Sequence, residues 1–164
     1  MAHLSRWFRH FLMTHWRVRK VFSAQTLNAI ESTIASAEQT HGGEIRFAVE
    51  GELSNLDLWR NLSPRARAVQ VFGTLGVWDT EHNNGVLIYV LMADRAVEIV
   101  ADRGYRGKVS DSEWIAVCSA IEQAFRSGDF ERGSVEGVVA TSKLIAQYFP
   151  TADHNELPNR PTLL

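Results

Sequence analysis

The chain has 164 residues, 45% of them hydrophobic and 22% charged, with a net charge of −2 and one cysteine, Cys118. That size and balance fit one domain with a sizeable core and exclude a disordered chain, a collagen and a coiled coil. The lone cysteine excludes an intramolecular disulfide framework and a multi-cysteine zinc site, no run approaches the roughly 18 apolar residues of a membrane span, and a charge near zero gives no reason to expect nucleic acid.

Charge is unevenly spread. Residues 1–22 carry Arg6, Arg9, Arg17, Arg19 and Lys20 and no acid, so they stand at +5 against −7 for the rest. In this segment Leu4, Trp7, Phe8, Phe11 and Leu12 recur at helical spacing, followed by Trp16, while Arg6, Arg9, His10 and Arg17 fall mostly off that stripe. The spacing predicts a basic amphipathic helix over 1–22. Its stripe is expected to pack on the domain or on a second subunit; the alternative is contact with an anionic membrane surface. The apolar stretch is too short for a secretory signal, so the expected location is cytoplasmic, with peripheral contact at the inner face of the membrane under that alternative.

Residues 23–150 read as the domain proper. Ser23 caps a helix whose face is Leu27, Ile30, Ile34 and Ala37, and His41-Gly42-Gly43 is expected to stop it with a left-handed glycine. Glu44 to Glu50 alternates Ile45, Phe47 and Val49 against Arg46 and Glu50, a strand with one polar face. Residues 51–63 read as irregular. Ser63-Pro64 starts a helix with Ala68, Val69, Phe72 and Leu75 inward and Gly76 at its end. Val86 to Met92 is a continuous apolar run, and Ala96 to Ala101 a second strand, so the two form a hairpin about Asp94. Ser110 and Glu113 have capping-box spacing before a helix carrying Trp114, Val117, Cys118, Ile121 and Phe125, ended by Gly128. A last helix opens at Asp129, with Gly133 and Gly137 placed for close helix packing, and Pro150 closes it. Residues 151–164 lack periodicity and read as a tail, with Leu157, Leu163 and Leu164 as docking points. The order predicts a layered α/β sandwich, with a small mixed sheet around a central β-hairpin and helices on both faces.

The hairpin brings distant acids together. A turn centred on Asp94 sets Val86 opposite Asp102, so the loop 79–85 meets 102–111 at one end of the sheet. Asp79, Asn84, Asp102 and Asp111 are therefore the candidate metal ligands, hard oxygens suited to Ca²⁺ or Mg²⁺, with Gly85 and Gly104 easing the turns. No organic cofactor is implied. The spacing is not that of an EF-hand, because Asn84 and Val90 stand where glycine and glutamate belong. His82, beside these acids, reads as a solvated loop histidine, Cys118 as a core residue, and Arg103, Arg106 and Lys108 as a basic loop. The opposite end, with Glu50 and Asp94, is where open parallel sheets usually bind ligands.

Asn84-Gly85-Val86-Leu87-Ile88, then Asp94-Arg95, Val97-Glu98-Ile99, Gly104 and Asp111 form an ordered set that resembles the TPM domain family, the thylakoid acid phosphatase-type domain. Phe125-Arg126-Ser127-Gly128-Asp129-Phe130 and Gly133 extend the likeness, which covers about residues 24–149. The segment from Trp78 to Tyr89 is most similar to the cytoplasmic bacterial branch. The resemblance implies a Rossmann-like α/β sandwich. Relatives are linked to acid phosphatase activity, calcium binding, photosystem repair and receptor regulation. Here Asp102 stands where relatives often have glycine, and Arg106 where they have an acid. The expectation is a domain that binds a divalent cation or a protein partner through its acidic loops. A metal-assisted phosphatase is the alternative the resemblance carries, and a peripheral membrane adaptor the one the N-terminal segment carries.

Overall fold

The computed structural model of the chain describes residues 2–152 and 154–164, with side chains from Ser5 onward; Leu4 of the predicted stripe thus lies outside the described side chains. The elements are α1 (Ala2–Leu12), α2 (His15–Val21), α3 (Ala24–Glu38), β1 (Glu44–Glu50), α4 (Asn55–Trp59), α5 (Pro64–Thr74), β2 (Gly85–Leu91), β3 (Ala96–Ala101), a 3-10 turn (Arg103–Tyr105), α6 (Asp111–Arg126), α7 (Phe130–Ala146) and β4 (Thr162–Leu163).

The strands form one sheet in the order β3-β2-β1-β4, with β1 parallel to both neighbours and β2–β3 antiparallel. Because side chains alternate across a strand, the sheet divides its apolar residues between two cores. Ile45, Phe47, Val49, Val86, Ile88 and Val90 pack with residues of α3, α6 and α7. Ala48, Leu87, Tyr89 and Leu91 pack with Leu58 of α4 and with Ala68 and Val71 of α5. The result is a layered α/β sandwich with helices on both faces of a small mixed sheet.

Helix starts follow the capping chemistry of the sequence. Ser23, Ser63 and Ser110 each accept a backbone N–H three residues on, and Ser110 with Glu113 completes a capping box. Gly76 and Gly128 take left-handed φ of 65° and 83° after α5 and α6. The expected left-handed stop at Gly42–Gly43 does not occur. Neither glycine has positive φ, and Gly43 answers instead to close approach, since a Cβ there would lie 2.4 Å from Ile145 Cγ2.

Other expectations are corrected. The N-terminal segment is two helices, because Thr14 caps α2 through Arg17 N–H at 3.4 Å. The stretch 51–63 contains α4, started by Ser54 on Asp57 N–H; five residues are too few to show a period. Val69 is 51% exposed: the inward stripe of α5 runs Ala68, Val71, Phe72, Leu75. The hairpin turn is Met92–Arg95, closed by Arg95 N–H to Met92 O at 3.1 Å. Its centre lies half a residue before Asp94, so Val86 faces Ala101 and not Asp102.

All seven residues of β1 are buried, including its polar ones. The reason is the C-terminal segment, which returns so that β4 pairs with Ala48 and Val49. Arg46 donates to Pro158 O, to Arg160 O at 3.3 Å and to Thr162 Oγ1 at 2.7 Å. Glu44 accepts Leu157 N–H at 3.0 Å. The outer edge of β3 is also blunted, with Arg65 donating to Ile99 O and Val97 N–H donating to Glu122 at 3.1 Å. Covered edge groups of this kind oppose strand-to-strand aggregation.

The N-terminal helices sit over the carboxyl ends of β1 and β2 in an inverted way. Arg6 forms an ion pair with Asp94 at 2.7 Å and donates to Leu62 O at 2.7 Å. Arg9 donates to Ala93 O at 3.1 Å. His10 is 1% exposed, accepts Leu53 N–H at 3.0 Å and meets Asp94 Oδ1 at 3.1 Å. Residues 6, 9 and 10 are one stripe of α1, and it is this polar stripe that faces the body. The expected packing of the aromatic stripe on the domain is therefore overturned: Phe8, Phe11, Leu12 and Trp16 are exposed. Charge-assisted bonds to the buried Asp94 decide the orientation, because turning the helix over would leave that carboxylate without donors.

Candidate functional site

Parallel pairing of Glu44 with Gly85 puts the amino ends of β1 and β2 side by side, and the antiparallel β3 delivers Asp102 to the same end. Asn84 joins the loops there. It is fully buried, and its backbone oxygen accepts from Glu44 N–H at 3.2 Å and from the Tyr105 hydroxyl at 2.8 Å. Its N–H donates to Thr80 Oγ1 at 3.1 Å, and its side-chain amide donates to Gly42 O. The amide oxygen, Oδ1, is buried and has no hydrogen-bond partner among the described residues.

Asp102 lies beside this junction. Its N–H donates to Gly85 O at 2.9 Å, and its Oδ1 accepts Arg103 N–H at 2.7 Å, capping the 3-10 turn. Its Oδ2 is buried and likewise without a partner. Gly104 N–H bonds Asn83 O at 2.9 Å, and a Cβ on Gly104 would stand 2.4 Å from that oxygen, so only glycine lets the two loops touch. Arg103 Nε donates to Asn83 Oδ1 at 2.7 Å, across the same contact.

This end is rich in acids. Burial, followed by the charges of Asp102 and Glu44, pushes the Tyr105 hydroxyl well above its ordinary value, which places both carboxylates within electrostatic reach of that hydroxyl. Burial, with Glu44 adding to it, also pushes the Glu38 carboxyl up to about 8 despite its bond from Ile45 N–H at 2.9 Å. Glu38 was missed in the sequence, although Ile30, Ile34 and Glu38 recur at four-residue steps and so put an acid on the buried stripe of α3.

Of the four predicted ligands, Asn84 and Asp102 lie at adjoining positions on paired segments, since Asp102 N–H bonds Gly85 O next to Asn84. Asp79 is exposed in a turn, with its N–H on Gly76 O at 2.9 Å. Asp111 is exposed at the start of α6, beside a separate cleft lined by Arg65, Glu98 and Cys118. No group of three or more His, Cys, Asp or Glu residues is placed to hold a metal among the described residues. His82 is exposed and borders a shallow cleft with Gly42 and Phe149. Burial first, then the charge of Glu98, pushes the Cys118 thiol up to about 12, so it stays protonated. Lys108 lies over the Phe149 ring at 4.7 Å.

The opposite end holds no buried, unpartnered carboxylate oxygen among the described residues. Glu50 pairs with Arg67 at 2.7 Å and accepts the Tyr89 hydroxyl. Burial opposes ionisation of Asp94, but hydrogen bonds from Arg6 and His10 outweigh it and hold the carboxyl below its ordinary range.

Residues 18–144 match the sequence profile of the TPM domain. Among solved structures, the chain is similar to the BA42 protein of the psychrophilic bacterium Bizionia argentinensis, with 35% identity over 87% of this chain and 94% of that one and a TM-score of 0.71. It also shares its fold with the N-terminal domain of a protein from P. gingivalis, at 18% identity over 82% of each chain and a TM-score of 0.64. No curated protein gives a significant sequence match.

Proposed function

Because this chain belongs to the TPM domain family, we propose that it is a binding domain that responds to a divalent cation, Ca²⁺ or Mg²⁺, at the amino end of its sheet. One observation carries the reading: Asn84 Oδ1 and Asp102 Oδ2 are both buried and both lack a hydrogen-bond partner among the described residues. Leaving such an oxygen unsatisfied costs about 1–3 kcal/mol, more for a charged group. Hard oxygens of this kind suit Ca²⁺ and Mg²⁺. The chemistry a cation supplies there is charge neutralisation next to Asp102 and Glu44. Asn84 and Asp102 are the core of the proposed site. Asp79 and Asp111, both exposed, complete the proposed four-residue site. The metal-assisted phosphatase alternative rests on the family resemblance, with no structural observation of its own.

The test is titration of the purified chain with CaCl₂ and MgCl₂. The melting temperature should rise with concentration, by the equivalent of about 2.7 kcal/mol at roughly 100 times the dissociation constant. Amide resonances of 79–85 and 102–111 should shift. Asp102→Asn should weaken the response and Asp94→Asn should leave it intact. Loss of response in Asp79→Asn or Asp111→Asn marks the larger, four-residue site. Unchanged melting and resonances at millimolar cation refute the reading.

A further inference from the structure

The N-terminal helices leave an apolar surface whose neighbours are positively charged. Phe11 is 81% exposed, Trp16 68% and Phe8 63%. Side chains of this size are seldom left bare together on a monomer without a use. They are fixed in that position, because Arg6, Arg9 and His10 hold the other stripe of α1 onto Asp94 and the residues around it. The apolar side cannot turn inward while that hub is intact. Arg17, Arg19 and Lys20 on α2 are exposed, residues 1–22 contain no acid, and Lys20 Nζ lies 5.2 Å from the centre of the Trp16 ring. Among the described residues no helix is long and apolar enough to cross a membrane, so the surface is suited to lying on a bilayer and not to spanning one.

We propose that α1 and α2 form a membrane-docking element that sets Phe8, Phe11 and Trp16 into an anionic phospholipid surface, with Arg17 and Lys20 at the headgroups. Charge selects this occupant. A second copy of the chain meeting the same face two-fold would oppose the Arg17, Arg19 and Lys20 clusters of the two copies, whereas an anionic bilayer offers apolar depth and negative charge together. Arg6 and Arg9 are engaged by Asp94 and Ala93, so the headgroup contacts belong to α2. Tryptophan and phenylalanine beside lysine and arginine are the composition of an interfacial helix.

The experiment is flotation of the full chain with vesicles of phosphatidylcholine containing about one-third phosphatidylglycerol, and with pure phosphatidylcholine vesicles. The chain should float with the first and about tenfold less with the second, and binding to the first should fall with added salt. The double variant F8S/F11S should bind about tenfold more weakly, since it loses buried apolar area. R17E/K20E should lose the preference for anionic vesicles. Both variants alter exposed residues outside the Asp94 hub, and an unchanged melting temperature checks that they fold. No flotation with anionic vesicles overturns the proposal, as does equal flotation of F8S/F11S. A dimer in light scattering that F11S dissolves, without flotation, assigns the face to a second copy instead.

Discussion

The two ends of the parallel strands treat their acids in opposite ways. At the carboxyl end, Glu50 and Asp94 each hold a guanidinium, Arg67 and Arg6, both at 2.7 Å. At the amino end, Glu38, Glu44 and Asp102 each accept a backbone N–H, from Ile45, Leu157 and Arg103. A guanidinium neutralises a carboxylate, whereas a peptide N–H only solvates it. The first end is thus closed by charge pairing and covered by the N-terminal helices. The second relies on backbone donors, and burial there pushes the Glu38 carboxyl up to about 8. Ion pairing is concentrated at one end, and a carboxyl that titrates near neutrality at the other.

The strongest way to break this contrast is Asp94→Asn. Three basic side chains converge on one carboxylate that is 7% exposed, and removing one member of a buried charged group costs roughly 3–5 kcal/mol. The loss should fall on the docking of α1 and α2: amides of residues 6–21 should exchange faster and proteolysis should begin there, while amides of β1 and β2 stay protected. Acid should do the same to the unaltered chain. The Asp94 carboxyl titrates below its ordinary 3.8. Its contribution is therefore complete above that value and is lost as the pH falls through the depressed one.

Glu38→Gln sharpens the other side with an intermediate effect. The folded carboxyl titrates near 8 against an ordinary 4.5. Between these values the folded state holds a proton that the unfolded state has released, so stability falls as the pH rises from about 4.5 toward 8. The variant should remove that slope. At pH 8 it should melt above the unaltered chain, by the equivalent of roughly 1–3 kcal/mol, and near pH 5 the two should melt together. Parallel melting curves at both pH values would show that the Glu38 carboxyl is not the group responsible.

What the sequence reveals follows from the range over which its signals act. Caps, the hairpin and the helix–glycine contacts are local, so Ser23, Ser110 and Gly137 could be read directly. That the polar face of β1 is buried was not legible, because its cover, residues 157–163, lies more than a hundred positions away and carries no period of its own. The inverted α1 was misread for a related reason. Helical spacing separates the stripe of Arg6, Arg9 and His10 from the aromatic one, but only the tertiary position of Asp94 decides which faces in. For the candidate site, hairpin pairing put Asp79, Asn84, Asp102 and Asp111 at one end of the sheet, and the observed pairing, one residue shifted, sets Asp102 N–H on Gly85 O beside Asn84. Asp79 lies in an exposed turn and Asp111 follows the Ser110 cap.

Asp102→Asn, made without added cation, gives the smallest expected effect and the most direct comparison, since it is the same chemical change as Asp94→Asn. The asparagine oxygen can still accept Arg103 N–H and cap the 3-10 turn. What is lost is a negative charge near Glu44 and Tyr105, on a carboxylate whose Oδ2 accepts no hydrogen bond among the described residues. Loss of that repulsion offsets the cost of burying an amide group in place of Oδ2, and the melting point should stay within the equivalent of about 0.5 kcal/mol. A loss of several kcal/mol, comparable with Asp94→Asn, would mean that Asp102 is as fully compensated as Asp94. The two ends would then not differ in kind, and the reason for placing a cation at the amino end would disappear.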